Sequence, residues 1–148
     1  MTAPTPPSDQ FELSTEGARL DFDVIFGWLS TDAYWALGRP RDVVERAAAG
    51  SLNIGAYRLG DGAQVAYARA VTDGATFAWI CDVYVDRAER GRGLGTWMVG
   101  ELRDRLHAFG VNRLVLATLN AHGVYARLGF SPLDEPARWM DLRTPRPI

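Results

Sequence analysis

The stretch Glu89 to Met98, ERGRGLGTWM, sets Gly91, Gly93 and Gly95 at alternate positions, with Arg90 and Arg92 beside the first of them. An apolar run precedes the stretch and a helical pattern follows it. A helix N-terminus exposes unpaired N–H groups and the positive end of the helix dipole. Glycines there let the backbone curl, so that several N–H groups converge on one anion, typically a phosphate. The pattern reads as a phosphate-binding turn with two arginines adding charge; a tight turn that binds nothing is the plainer alternative. A Walker loop needs a lysine, and the chain has none. A dinucleotide fingerprint fits poorly. The third glycine comes one residue early, Thr96 stands where it should be, and no acidic residue ends the pattern at Leu114 to Leu119.

Asp82 is the second residue that asks for chemistry. It lies among Ile80, Cys81 and Val83, and a carboxylate inside an apolar run is either paired or functional. Cys81, the single cysteine, reads as a core thiol, and strand alternation sets it on the face opposite Asp82. The two histidines, His107 and His122, lie far apart without acidic partners at ligand spacing, so no metal site is expected.

These residues need elements to hold them. Gln10 to Ser14 reads as a first strand. Phe22, Ile25, Phe26 and Leu29 recur at helical spacing, and Asp42 to Ala49 reads as a second helix stopped by Gly50. Alternating strands follow around Leu52, Ile54 and Ala56, then Val65, Tyr67 and Val71, with turn signals at Asp61-Gly62 and Asp73-Gly74. Phe77 to Val85 is apolar on both faces, as a central strand is. After the glycines, Leu94, Met98, Leu102 and Leu106 form a stripe that Phe109 closes and Gly110 stops. Leu114 to Leu119 reads as a strand, His122 to Leu128 as a short helix ended by Gly129-Phe130, and Trp139 to Leu142 as a last strand. The order β-α-α-β-β-β-α-β-α-β mixes hairpins with one strand-helix-strand crossover.

The length of 148 residues suits one domain able to bury roughly 70% of its unfolded surface. Residues 1–9, rich in proline and small polar groups, read as a flexible tail, leaving 10–148 as a single domain. The net charge of −2 gives no support for a nucleic-acid binder. No apolar run reaches membrane-spanning length, and the N-terminus lacks a secretory pattern, so a cytoplasmic protein is expected.

Arg90-Gly91-Arg92-Gly93-Leu94-Gly95 resembles the (Q/R)-x-x-G-x-(G/A) turn of the GCN5-related N-acetyltransferases (GNAT). Asp82 to Asp86, DVYVD, looks like that family's fourth strand, and Ala121 to Phe130, AHGVYARLGF, is similar to its A-x-x-x-Y-x-x-x-G-F segment. The motifs cover about sixty residues, and the element order is the family's over nearly the whole chain. The resemblance implies an α/β (α+β) fold: a mixed, mostly antiparallel sheet of six to seven strands, flanked by about four helices. It implies an acetyl-CoA-dependent N-acetyltransferase acting on a primary amine of a small molecule, or on a protein amine, in a ternary complex. An acyl-CoA-binding sensor without turnover is the alternative.

Carried over by position, the resemblance places the pyrophosphate of acetyl-CoA on Arg90, Gly91, Arg92, Gly93, Leu94, Gly95 and Thr96, mostly through N–H groups. It lays the pantetheine arm along Val83, Tyr84 and Val85. Tyr125 matches the tyrosine that commonly protonates the CoA sulfur. Asp82 stands where relatives with amine acceptors carry acidic residues, so it would hold the acceptor ammonium or take its proton through water. Thr118 occupies the position of a family asparagine, with Asn120 two residues on, and either side chain offers a polar group. Trp28, Tyr34 and Trp35, with Arg39, Arg41 and His122, would wall the acceptor site. Asp82 favours a cationic acceptor and the arginines an acidic one. No metal is implied, and members of the family often pair, so a homodimer is a further expectation.

Overall fold

The computed structural model describes residues 9–145. Most of the expected N-terminal tail, and the last three residues, lie outside that range.

Five strands form one sheet in sequence order: β1 (Phe11–Ser14), β2 (Leu52–Arg58), β3 (Gln64–Thr72), β4 (Ala78–Val85) and β5 (Leu114–Val115). Neighbours run antiparallel except β4 and β5, which are parallel. The helices are α1 (Phe22–Thr31), α2 (Arg41–Ala49), α3 (Leu94–Ala108) and α4 (His122–Arg127). The side chain of Asp21 caps α1 by accepting from the Val24 N–H at 3.3 Å. In the turn between β3 and β4, the Asp73 carboxylate accepts from the N–H groups of Ala75 and Thr76, each at 2.8 Å.

The sheet is covered on both faces. On one face α3 lays Leu94, Met98, Leu102 and Leu106, all essentially buried, against Ala66, Ala68, Ala70 and Ala78. Small residues on the strands and large ones on the helix let the two layers approach closely, and each buried leucine contributes about 2 kcal/mol. On the other face Ile25, Leu29 and Val44 of α1 and α2 pack on Tyr67 and Tyr84.

Four expectations are corrected. The sheet has five strands among the described residues, not six to seven. The strand expected over Leu114 to Leu119 pairs at only two positions, Ala78 with Leu114 and Trp79 with Val115, after which the chain leaves the sheet and Leu119 stands exposed. Trp139 to Leu142 finds no strand to pair with: Trp139 lies against the Arg113 guanidinium, and Met140 and Leu142 are almost fully exposed. Phe109 does not close the α3 stripe. It is exposed, and Val111, beyond the stop at Gly110, fills the core instead.

Candidate active site at the splayed end of β4

Where β5 ends, β4 continues alone. From Ile80 to Val85 its outer edge has no strand partner among the described residues. Asp86 donates its N–H to Val65 O at 2.8 Å. By antiparallel alternation the main-chain groups of Val85 then point away from β3, toward the open edge. The Tyr84 ring lies on the α1 face, stacked on Trp28 at 5.2 Å, and its hydroxyl donates to Asp32.

A bulge sits in the middle of this edge. Tyr67 pairs with Tyr84 and Arg69 with Cys81, so Ala68 of β3 stands opposite two residues of β4, Asp82 and Val83. Asp82 takes up the difference with φ of 53°, a left-handed conformation that aspartate tolerates better than most residues. The extra residue reverses the alternation. Ile80 and Val83, three apart, both face the α3 side. Cys81, opposite Arg69 in register, shares its face with the Asp82 carboxylate; the alternation of an unbroken strand would have separated them.

The Asp82 carboxylate is buried and fully engaged. Oδ2 accepts from Arg39 and from Arg69 Nε, both at 2.7 Å, and Oδ1 accepts from the Trp35 indole N–H at 2.8 Å. Burial alone would raise its pKa, but the two guanidiniums outweigh burial and hold it below the usual carboxylate range. Burial pushes the neighbouring Cys81 thiol up to about 11, so it stays neutral. Asp82, flagged in the sequence as paired or functional, is paired.

At the end of β4 the chain makes a short 3-10 turn, Arg87–Glu89, capped by Asp86, and enters α3 through the glycines. Gly91 and Gly93 have φ of 83° and 80°, which a side chain would strain, and Gly93 is the residue from which α3 starts. Leu94, Gly95 and Thr96 form the first turn, whose N–H groups lack carbonyls four residues back inside the helix. Gly95 faces the strand: a Cβ there would lie 3.4 Å from Val85 Cγ2.

The two arginines are partly committed to the turn itself. Arg90 donates to Val85 O at 2.8 Å and lies over the Tyr84 ring, while Arg92 reaches Glu89 at 3.5 Å. Glu89 is buried behind the turn and accepts from Arg58 of β2 at 2.9 Å. Neither Glu89 nor Arg58 carried a signal in the sequence, because each reads as an ordinary surface charge until the fold brings them together.

Tyr125, on α4, is half-buried against the core on the α3 side of the sheet. It packs edge-on against Phe130 with ring centres 6.0 Å apart. Its hydroxyl bonds to no described residue and is not fully sealed from solvent. Burial, and then the nearby Tyr34, raise its pKa. Tyr34 and Trp35 meet edge to face at 5.0 Å on the α1–α2 loop. That loop therefore spans from the Asp82 cluster to Tyr125.

Other expected residues fall elsewhere. Trp28 is apart from Tyr34 and Trp35, lining a separate concavity of about 600 Å³ with Asp32 and Arg87. Arg41 pairs with Asp23 and Glu45 on the surface. Thr118 accepts from the Ala121 N–H at 3.0 Å and so shapes the entry to α4, whereas Asn120 and His122 are exposed. Among the described residues no cluster of histidine, cysteine, aspartate or glutamate could hold a metal ion.

Residues 22–130 match the family model described as the acetyltransferase (GNAT) family. A solved structure of a candidate GNAT acetyltransferase from Xanthomonas campestris pv. campestris is 39% identical, with a TM-score of 0.85 over 91% of this chain and 94% of that one. A candidate acetyltransferase of Gibberella zeae is 29% identical over 133 residues, 78% of this chain and 75% of that protein. Glucosamine-6-phosphate N-acetyltransferase from Arabidopsis thaliana shares the fold alone: 14% identity and a TM-score of 0.61, over 93% of this chain and 98% of that one.

Proposed function

The chain belongs to the GNAT acetyltransferase family, and from that premise we propose that it is an N-acetyltransferase moving an acetyl group from acetyl-CoA to a primary amine. The observation that carries this reading is the meeting of two features at one end of β4. An unpaired strand edge leads, through one short 3-10 turn, into a glycine turn that opens a helix N-terminus. The first suits an extended amide-bearing arm, which pairs as an added strand would. The second suits a pyrophosphate.

In this reading the N–H groups from Gly91 to Thr96 hold the pyrophosphate, and Val83 and Val85 pair with the pantetheine arm. Arg90 and Arg92 act mainly by bracing the turn through Val85 and Glu89. The thioester then lies beside the bulge, across the gap from Tyr125. The amine attacks directly in a ternary complex. Its nitrogen bonds to the carbonyl carbon, the C–S bond breaks, and the sulfur leaves with the electron pair. Tyr125 donates its hydroxyl proton to the departing thiolate, and the proton lost by the amine returns to the phenolate through water. The raised pKa of Tyr125 keeps this donor protonated at neutral pH. With both carboxylate oxygens engaged, Asp82 anchors the α1–α2 loop rather than serving as the base.

The proposal includes a cytoplasmic, homodimeric protein. Among the described residues no helix is long and apolar enough to cross a membrane, and light scattering would give the assembly state. Thermal melting with acetyl-CoA, ATP and NAD tests the donor. Acetyl-CoA at a hundred times its Kd is expected to add about 2.7 kcal/mol of stability. Larger protection by ATP or NAD would contradict the reading.

A further inference from the structure

The Asp82 cluster holds one negative charge and two positive ones. Arg39 and Arg69 share Asp82 Oδ2, and among the described residues neither has another acidic partner. Their side chains are only 12% and 13% exposed. Two guanidiniums removed from most of their water with a single counter-charge are under-compensated. The neutral Cys81 thiol supplies no second anion.

The surplus is reachable. Arg39 spends one nitrogen on Asp82; Arg69 spends Nε on Asp82 and one more on Ser51. Glu89 Oε2, which has only the longer ion pair with Arg92, is the sole buried side-chain polar atom without a hydrogen bond among the described residues. The remaining guanidinium nitrogens of both arginines are therefore not sealed from solvent. Arg39 also lines a concavity of about 200 Å³ with Trp35 and Gly38, on the loop that brings Tyr34 toward Tyr125.

We propose that the acceptor carries an anionic group, a carboxylate or a phosphate, near its amine, and that Arg39 and Arg69 bind that group. The proposal rests on the acetyltransferase reading and names its acceptor class. A planar guanidinium with free N–H groups matches either anion in geometry and charge. The same positive surplus disfavours an ammonium nearby, so it raises the neutral fraction of the attacking amine without a dedicated base. A lysine side chain or a polyamine would meet uncompensated positive charge.

CoA release is measured over matched amines: α-amino acids, their carboxamides, O-phosphoethanolamine, and diamines of similar size, each compared at equal concentration of unprotonated amine. Anionic amines are expected to show kcat/KM roughly ten- to hundredfold above the carboxamides. The ratio of amino acid to phosphoamine identifies the anionic group. In Arg39→Gln the advantage of the anion over the carboxamide shrinks toward unity, and Arg39→Lys restores part of it. Carboxamides or diamines that match the anionic amines in the unaltered protein overturn this proposal and leave the acetyltransferase reading standing. No CoA release from any amine overturns both.

Discussion

Tyr125→Phe removes one hydroxyl and keeps the ring packed on Phe130. If that hydroxyl protonates the thiolate, kcat falls by about a hundredfold, while the melting shift given by acetyl-CoA is unchanged. Equal kcat in the variant would remove the role. Because burial raises the tyrosine pKa above its ordinary 10.0, its ionisation produces no loss of kcat between pH 7 and 9. Asp82 makes a different prediction. Its side chain is 2% exposed and faces two guanidiniums, so Asp82→Asn leaves buried cations unpaired and costs about 3 kcal/mol, read by urea unfolding. Tyr125 was legible because it belongs to a contiguous motif. The burden on Asp82 was legible from its apolar surroundings, but its partners were not: Trp35, Arg39 and Arg69 come from two other segments, and nothing local marks them as neighbours.

At the scale of elements, the proposed donor site depends on the glycine turn and the bulge. Gly93 starts α3 at φ of 80°, so Gly93→Ala is expected to cost about 1–2 kcal/mol and to weaken acetyl-CoA binding. Gly27, inside α1, has open space around it. Gly27→Ala is expected to stabilise by about 0.5–1 kcal/mol. Thermal melting of the two variants checks both signs, and a Gly93→Ala variant as stable as the parent would contradict this account of the turn. Helices α1, α2 and α3 were legible from period and punctuation. The bulge was not, since Asp82 looks like any strand residue until its register with Arg69 is known, and the inserted residue moves Cys81 onto the carboxylate's face. The lengths of the last strands were also illegible. Apolar content at Leu114 to Leu119 and Trp139 to Leu142 suggests strands, but a strand needs a neighbour, and beyond Val115 there is none among the described residues.

For the whole molecule, the charge pairs that fasten the α1–α2 loop to the sheet tie stability to pH. Asp82 is held below its ordinary pKa of 3.8 by Arg69 and Arg39. Its stabilising contribution is therefore complete above the ordinary carboxylate range and is lost as pH falls through 3.8 toward the depressed folded value. Melting temperature is expected to hold between pH 5 and 7 and to fall below about pH 4, with a smaller fall in Asp82→Asn. An equal fall in both proteins would mean that the cluster does not couple the layers. The order of the elements as far as α4, and the glycine turn that opens α3, were legible because they follow from local pattern. At the proposed acceptor end Trp35, Arg39 and Asp82 were expected from the resemblance, but Arg69 was not, because only the fold brings β3 beside them. The most direct measurement is mass spectrometry of purified protein incubated with acetyl-CoA and the amine panel. Acetylated amine and free CoA appearing in equal amounts is the predicted result. Acetyl-CoA bound, but intact with every amine, would contradict the account and leave a binding module in place of an enzyme.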